Sequence, residues 1–149
     1  MLRPKQWTKN LLAFAAWLFT AKFGDGAATI DACLAFAALC LVSSSSYALN
    51  DVLDAKADRS HPTKRNRPVA SGQISPLTAL ALGTTCLAAG LGLAWVAGAL
   101  GSVLAFVGLQ AVYNLGLKRL AVADVMGIGL AFVQRAVVGA QAIDVGVSG

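Results

Sequence analysis

Long apolar segments, separated by short clusters of charge, constrain this chain more than any other feature of its sequence. Apolar residues make up 57% of it and charged residues only 13%, whereas soluble domains carry about a quarter charged residues. The mean hydropathy is +0.68. Backbone groups that face lipid must form hydrogen bonds within their own segment, so the apolar segments are expected to be helices. The sequence therefore predicts an all-α integral membrane protein.

Turn and cap residues divide the apolar sequence into five predicted membrane helices. The first is marginal against the roughly 20 residues that cross a bilayer. The third is expected to begin after Ser75-Pro76, because serine caps a helix amino terminus and proline suits the first helical turn. A short turn at 98–101 predicts a hairpin between the third and fourth helices. The predicted bounds are 7–23, 27–49, 76–96, 102–117 and 122–143.

Most of the basic residues fall on one side of this arrangement. Ten of the twelve lie before or in the first turn of the first helix, between the second and third, or between the fourth and fifth. Lys22 would lie on the opposite side, and Arg135 inside the fifth helix. Since positively charged loops face the cytoplasm, we expect a multi-pass protein of the inner (plasma) membrane with its charged segment in the cytoplasm. No basic face exists elsewhere, so a nucleic-acid partner is not expected.

The segment 50–73, predicted as a cytoplasmic loop, carries three of the seven acidic residues within eight positions. Asp51, Asp54 and Asp58 are spaced by three and four residues, which would place them on one face of a helix. Their mutual repulsion is unfavourable unless a cation lies among them. Mg²⁺ prefers oxygen ligands and is commonly held by one or two carboxylates together with substrate phosphates. The spacing therefore predicts a catalytic centre in which these three aspartates bind Mg²⁺.

Basic and polar residues elsewhere are candidates for binding phosphate groups. Arginine binds phosphate oxygens with two parallel hydrogen bonds, and lysine supplies a point charge. The candidate substrate-binding residues are Asn50, Arg59, Lys64, Arg67, Lys118, Arg135 and Lys9. An arginine well inside a membrane helix usually faces a polar cavity or a partner, and the sequence leaves open which applies to Arg135. Asp124 either orients a substrate group or only favours the start of the fifth helix.

The pattern N-D-x-x-D-x-x-x-D-R at 50–59 resembles the first Asp-rich motif of the UbiA superfamily of intramembrane prenyltransferases. Further strings are similar to the decaprenyl-phosphate phosphoribosyltransferase branch of that superfamily. They are R-P-K-Q-W-T-K-N at 3–10, H-P-T-K-R-N-R-P at 61–68, L-K-R at 117–119 and F-V-Q-R-A-V-V-G at 132–139. The resemblance covers nearly the whole chain and implies a UbiA-type transmembrane bundle.

The resemblance also implies a chemistry. Such a transferase would use Mg²⁺ to move a 5-phosphoribosyl group from phosphoribosyl diphosphate to a polyprenyl phosphate, for the synthesis of arabinose donors for cell-wall polysaccharide. Two alternatives stay open: a prenyltransferase of the same fold that acts on an aromatic acceptor, and a non-catalytic membrane subunit or fragment. The length of the isoprenoid and the oligomeric state, including a homo-oligomer, also stay open.

One departure from the family pattern concerns the second half of the fold. Members have about nine helices and a second Asp-rich motif, whereas this sequence has five predicted helices and only Asp124 and Asp144 after Arg59. We therefore expect residues 1–149 to be the amino-terminal part of a UbiA-type transferase domain. Its metal site would be half built without further sequence or a partner chain.

Overall fold

The structure is a computed structural model that describes residues 2–115 and 121–145, with the side chains of 115 and 121–124 outside the description. Within these described residues, six α-helices occur in chain order: α1 (Ala15–Phe19), α2 (Gly26–Leu53), α3 (Ala55–Arg59), α4 (Pro76–Val96), α5 (Leu100–Leu115) and α6 (Ala121–Ala142). Three 3₁₀-helices accompany them, at Pro4–Phe14, Lys22–Gly24 and Lys64–Asn66. No strand occurs among the described residues, which agrees with the all-α prediction.

Three of these helices have the length and composition needed to cross a membrane: α2, α4 and the 125–142 part of α6. The described part of helix α5 is apolar and has 16 residues, which is about 24 Å of helix against a hydrocarbon core of about 30 Å. Ser75 caps α4 as predicted, because its Oγ accepts a hydrogen bond of 3.1 Å from the Thr78 amide. The prediction of an integral membrane protein is confirmed.

The first predicted span differs most from expectation. Instead of one α-helix over 7–23, the chain forms an 11-residue 3₁₀-helix, Pro4–Phe14, followed by the 5-residue α1. A 3₁₀-helix rises about 2.0 Å per residue, so these 16 residues extend about 30 Å where an α-helix would extend about 24 Å. The more extended conformation therefore matches the bilayer thickness with fewer residues.

Helix α2 lies at the centre of the bundle and packs along α4. The two helices approach closely at Gly90, where an added Cβ would lie 2.8 Å from Val42 Cγ2. The main core contains Leu39 and Val42 of α2 together with Phe106 of α5 and Val138 of α6. This core holds α2 in a fixed position, so the polar residues at its carboxyl end are held as well.

Helix α6 packs against the amino-terminal 3₁₀-helix (Pro4–Phe14) at Gly139. A Cβ at Gly139 would overlap the backbone of Ala13, so the two backbones are in direct contact. The packing of α6 against this 3₁₀-helix forms one wall of the site described next. At the opposite end of the bundle, distant from the Asp-rich segment (residues 50–73), Lys22 donates to the Ile143 carbonyl at 2.8 Å.

Candidate functional site

The Asp-rich segment is more helical than predicted. Helix α2 runs past its predicted end at 49 to Leu53, turns at Asp54 and continues as α3. Part of the predicted loop 50–73 is therefore an extension of a membrane helix. Its aspartates differ in burial, since Asp51 is 1% exposed and Asp58 3% exposed, whereas Asp54 is half-buried.

Arginines lie beside the two buried aspartates. Arg67 Nη1 donates to Asp58 Oδ2 at 2.6 Å and lies 3.8 Å from Asp51 Oδ1. Arg3 donates to the same Oδ1 of Asp51, and its guanidinium stacks on the Tyr47 ring at 5.1 Å. The cation that lies between these two carboxylates in the structure is the guanidinium of Arg67, whereas the spacing had predicted Mg²⁺.

The oxygen ligands of the predicted Mg²⁺ centre would have to come from the Asp-rich segment. Among the described residues, no group of three or more His, Cys, Asp or Glu side chains is close enough together to hold a metal ion. However, Asp51 Oδ2 is buried without a hydrogen-bond partner, and buried carboxylate oxygens are normally satisfied. This oxygen is the kind of ligand that Mg²⁺ prefers. The donor type fits Mg²⁺, while the assignment of all three aspartates as ligands stays a prediction.

The other predicted residues of this segment lie apart from the ion pairs. Arg59 is exposed and donates from Nε to the Ala70 carbonyl at 3.3 Å, and Lys64 is exposed on the short 3₁₀-helix that it begins. Lys118 and the side chain of Asp124 lie outside the described residues. Their predicted roles stay predictions.

A polar cavity of about 320 Å³ opens between the amino-terminal 3₁₀-helix, α2, α5 and α6. The predicted binding residues Lys9, Asn50 and Arg135 all line it, and Arg3 connects it to the Asp51 carboxylate. Its other polar lining residues are Gln6, Tyr47, Gln110, Tyr113 and Asn114. None of its described lining residues is acidic, so the cavity presents positive charge and hydrogen-bond donors to a ligand.

Arg135 is 5% exposed and its contacts are neutral. Its Nε donates to Asn10 Oδ1 at 2.9 Å, and its Nη1 donates to the Ala131 carbonyl at 2.6 Å. The guanidinium also lies 5.0 Å from the Phe106 ring centre and 5.4 Å from that of Phe132. Arg135 thus faces a polar cavity and has an internal partner in Asn10, but it forms no salt bridge with a described residue, and its role in substrate binding stays a prediction.

A second, apolar groove of about 520 Å³ adjoins the polar cavity. Lys9 and Phe132 line both spaces. The remaining lining residues of the groove are Thr8, Leu11, Leu12, Ala15, Leu18 and Phe19. A charged cavity that passes into an apolar groove suits an amphiphile with an anionic head and a hydrocarbon tail.

Sequence reasoning missed Arg3 and Asn10 as functional candidates. Arg3 was treated only as a topology signal, although it pairs with Asp51 across 48 positions. Asn10 is 1% exposed, and an amide inside an apolar segment was a signal that could have been used, since buried polar groups need partners. Both belong to the string at 3–10 that carried part of the family resemblance.

Residues 11–148 of the chain match the UbiA prenyltransferase family. The chain is 39% identical to decaprenyl-phosphate phosphoribosyltransferase of Mycolicibacterium smegmatis, over 99% of this chain and 48% of that protein. It is 36% identical to the protein of the same name from Corynebacterium glutamicum, over 99% and 46%. It is also 35% identical to protoheme IX farnesyltransferase of Korarchaeum cryptofilum, over 64% and 32%. The chain thus spans about half the length of the two phosphoribosyltransferases.

Proposed function

This chain belongs to the UbiA prenyltransferase family, and we propose that it forms the amino-terminal part of a Mg²⁺-dependent phosphoribosyltransferase. The donor would be phosphoribosyl diphosphate and the acceptor a polyprenyl phosphate such as decaprenyl phosphate. The product would serve the synthesis of arabinose donors for cell-wall polysaccharide.

The observation that carries this proposal is the polar cavity and the apolar groove beside it. Lys9 and Arg135 line the cavity without an acidic residue among its described lining, while Arg3 lines it with a charge that is paired with Asp51. Both proposed substrates carry phosphate, so their transfer needs several cations in one place. The acceptor also carries a hydrocarbon tail, for which the groove is a suitable surface because its lining is mostly apolar. The contact between the two spaces at Lys9 and Phe132 would place the head of the lipid beside its tail.

The donor's diphosphate would lie at the Asp-rich segment. Asp51, Asp54 and Asp58 would hold Mg²⁺, and the unpartnered Oδ2 of Asp51 is an available oxygen ligand. When bound, Mg²⁺ would supply charge neutralisation for the leaving diphosphate. Arg67 would contact the phosphate oxygens through its other nitrogens, since its contacts with Asp51 and Asp58 both use Nη1.

The proposed reaction is a substitution at the anomeric carbon of the ribose. The bond from this carbon to the diphosphate oxygen breaks, and a new bond forms to an oxygen of the acceptor's phosphate. The acceptor is already an anion, so neither a protein nucleophile nor a general base is needed. The role of this chain would be to bring two negatively charged substrates together and to stabilise the charge that develops on the leaving group.

The distribution of basic residues indicates how the protein is oriented in the membrane. The amino-terminal residue Arg3 and the segment that contains Arg67 lie at the same end of the bundle, because both contact Asp51. Lys22 lies at the opposite end. We propose that the Asp-rich end faces the cytoplasm of the inner membrane, as the positive-inside rule indicates.

An aromatic prenyltransferase is the second candidate, because Tyr47, Tyr113 and Phe132 line the cavity. Its acceptor would bring no phosphate, so Lys9 and Arg135 would have no second phosphate group to bind besides the donor's diphosphate. We favour the phosphoribosyltransferase for this reason. The two candidates differ in their products and are separated by one assay.

The test uses membranes that contain the complete gene product carrying this chain. Radiolabelled phosphoribosyl diphosphate and decaprenyl phosphate are added, and label in the lipid extract is counted. We expect Mg²⁺-dependent product that falls at least about 100-fold in Asp54→Asn and Asp58→Asn, since each variant removes a charge but keeps the side-chain shape. Asp31→Asn, on the same helix α2 but far from the Asp-rich segment, is the control and should keep full activity.

A parallel reaction with a prenyl diphosphate and 4-hydroxybenzoate tests the second candidate. Prenylated benzoate without labelled lipid would replace the phosphoribosyltransferase proposal with that candidate. Unchanged turnover in Asp54→Asn would refute the catalytic role of the Asp-rich segment. If neither product forms in membranes that hold the folded protein, the chain belongs to a non-catalytic subunit.

A further inference from the structure

The buried Asn10–Arg135 pair raises the question of what balances its positive charge. The acceptors of Arg135 are an amide oxygen and a carbonyl oxygen, and no carboxylate of the described residues contacts its guanidinium. Two aromatic faces add cation–π attraction, which offsets only part of the cost of an unpaired buried charge. The neutral contacts therefore do not balance the charge of Arg135.

The orientation of this guanidinium is fixed by Asn10. The Asn10 Oδ1 accepts from Arg135 Nε, while the Asn10 Nδ2 lies 3.4 Å from Cys40 Sγ as a donor. Both ends of the amide are therefore engaged, and the side chain is 1% exposed. The third nitrogen of Arg135, Nη2, has no acceptor in the part of the chain that the structure describes, and the side chain lines the polar cavity.

We propose that Asn10 is a positioning residue that aims the unsatisfied edge of Arg135 at the phosphate monoester of a substrate. The phosphate would provide the missing negative charge, and Arg135 would bind it within the membrane-embedded part of the cavity. The inference rests on the proposed function only for its choice of ligand, because both proposed substrates carry a phosphate monoester. This subsite is separate from the Asp-rich segment, where Arg67 is already paired with carboxylates.

Two sources could supply this phosphate: the 5-phosphate of the donor and the head of the lipid acceptor. Phe132 contacts the Arg135 guanidinium and also lines the apolar groove. A phosphate at Arg135 would thus lie next to the surface proposed for a hydrocarbon tail. We therefore assign the subsite to the lipid phosphate and use the sugar phosphate as the comparison.

The experiment measures binding to the complete gene product in nanodiscs by calorimetry, in buffer without Mg²⁺. Farnesyl phosphate represents the lipid, and ribose 5-phosphate represents the donor. The informative variant is Asn10→Asp, which keeps an acceptor for Arg135 Nε but adds a negative charge beside it. We expect farnesyl phosphate to bind about tenfold more weakly or worse, with a melting temperature that is unchanged or higher, because the new carboxylate would pair with the buried charge of Arg135. Gln73→Glu makes the same change from an amide to a carboxylate at an exposed position. This variant should bind farnesyl phosphate like the wild type.

A second pair of variants keeps the test decisive if Asn10→Asp does not fold. Asn10→Ala should weaken binding of farnesyl phosphate, and Asn10→Gln should restore part of it, because Gln retains the amide oxygen. If the folded Asn10→Asp variant binds as tightly as the wild type, or if Asn10→Ala does so, Asn10 is only structural and the proposal is wrong. If only ribose 5-phosphate binding responds, the assignment to the lipid is wrong.

The outcome is separable from that of the transfer assay. Farnesyl phosphate binding that depends on Asn10 would support the subsite even if no phosphoribosyl transfer were found. Conversely, Mg²⁺-dependent transfer with binding that is insensitive to Asn10 would support the proposed function and refute the subsite.

Discussion

Arg67 and Arg135 are the same residue type in two very different surroundings. Arg67 lies between the carboxylates of Asp51 and Asp58 at the end of the bundle. Arg135 lies inside the bundle and contacts an amide, a carbonyl and two aromatic rings. The charge of the first is cancelled within the protein, whereas the charge of the second is not. The number of basic residues near a cavity is therefore a poor measure of the charge that a ligand meets.

Because of this difference, we expect substitutions at Arg67 to change mainly the stability of the protein and substitutions at Arg135 to change mainly its affinity for a ligand. Removing Arg67 would leave two buried carboxylates with less compensation, so it should mainly destabilise the fold. Disturbing Arg135 or its support should mainly change the affinity for an anion. The following predictions test this separation, beginning with the largest expected effect.

Arg67→Ala should lower stability by about 3 kcal/mol, because it breaks a pair whose aspartates are almost fully buried. The 27% exposure of the Arg67 side chain and the remaining Arg3–Asp51 contact keep the loss at the lower end of the usual range. The measurement is thermal unfolding of the purified protein in detergent, with an expected fall of roughly 5 °C or more. Arg65→Ala removes an exposed arginine of the same segment and should change the melting temperature little. Equal melting temperatures for the two variants would contradict the ion-pair role.

Gly139→Ala should cost about 1–3 kcal/mol, since the added methyl group would overlap the Ala13 backbone and force the two helices apart. Gly139 lies one turn beyond Arg135, and Ala13 lies one 3₁₀ turn beyond Asn10, so the shift should also lengthen the Asn10–Arg135 contact. We expect lower stability together with weaker binding of farnesyl phosphate.

Gly129→Ala is the matched control on the same helix, because a Cβ there meets no atom within 4 Å. It should be neutral or slightly stabilising, since alanine favours a helix more than glycine does. If Gly139→Ala behaved in the same way, the close approach of α6 to the amino-terminal 3₁₀-helix would be wrong.

The smallest effect is expected at the wall of the cavity where the surroundings of Arg67 and those of Arg135 meet. Asn50 Nδ2 donates to Asn114 Oδ1 at 3.2 Å, and both residues line the cavity. Because this hydrogen bond joins two neutral groups, a double-mutant cycle of Asn50→Ala and Asn114→Ala should give a coupling of about 1 kcal/mol or less. Thermal unfolding of the four proteins provides the measurement. A coupling of several kcal/mol would mean that this wall of the cavity is as dependent on polar contacts as the Asp-rich segment.

Much of the fold could be predicted because its determinants are local. Apolar segments gave the membrane helices, and Ser75-Pro76 gave the first residue of α4. The predicted end of α2 was wrong by four residues, because Asn50 and Asp51 continue the helix and their side chains make tertiary contacts with Asn114 and Arg3. The prediction for the first span gave the wrong type of helix, since hydropathy reports burial in lipid and not the pattern of backbone hydrogen bonds.

The types of residue in the candidate site could be predicted from the sequence, but the ion pairs that they form could not. The Asp-rich pattern, Lys9 and Arg135 were identified from charge inside apolar sequence, and the structure places Lys9 and Arg135 in one cavity with Asn50. The spacing of the aspartates gave no sign that arginines lie beside two of them. Arg3 and Arg67 reach Asp51 from opposite directions along the chain, and no local rule relates such distant positions.

The sequence by itself determined that this protein is a helical membrane protein with its charge gathered at one end, because hydropathy and the cost of burying charge act on every short segment. Only the tertiary structure decided which charges are cancelled. In the 3₁₀-helix Pro4–Phe14, three residues per turn align Gln6, Lys9 and Leu12 in one row, whereas an α-helix would turn Gln6 and Leu12 about 120° apart. That row passes from the polar cavity to the apolar groove. The contact of Asn10 with Arg135 spans 125 positions, and such a pairing exists only after the helices have packed.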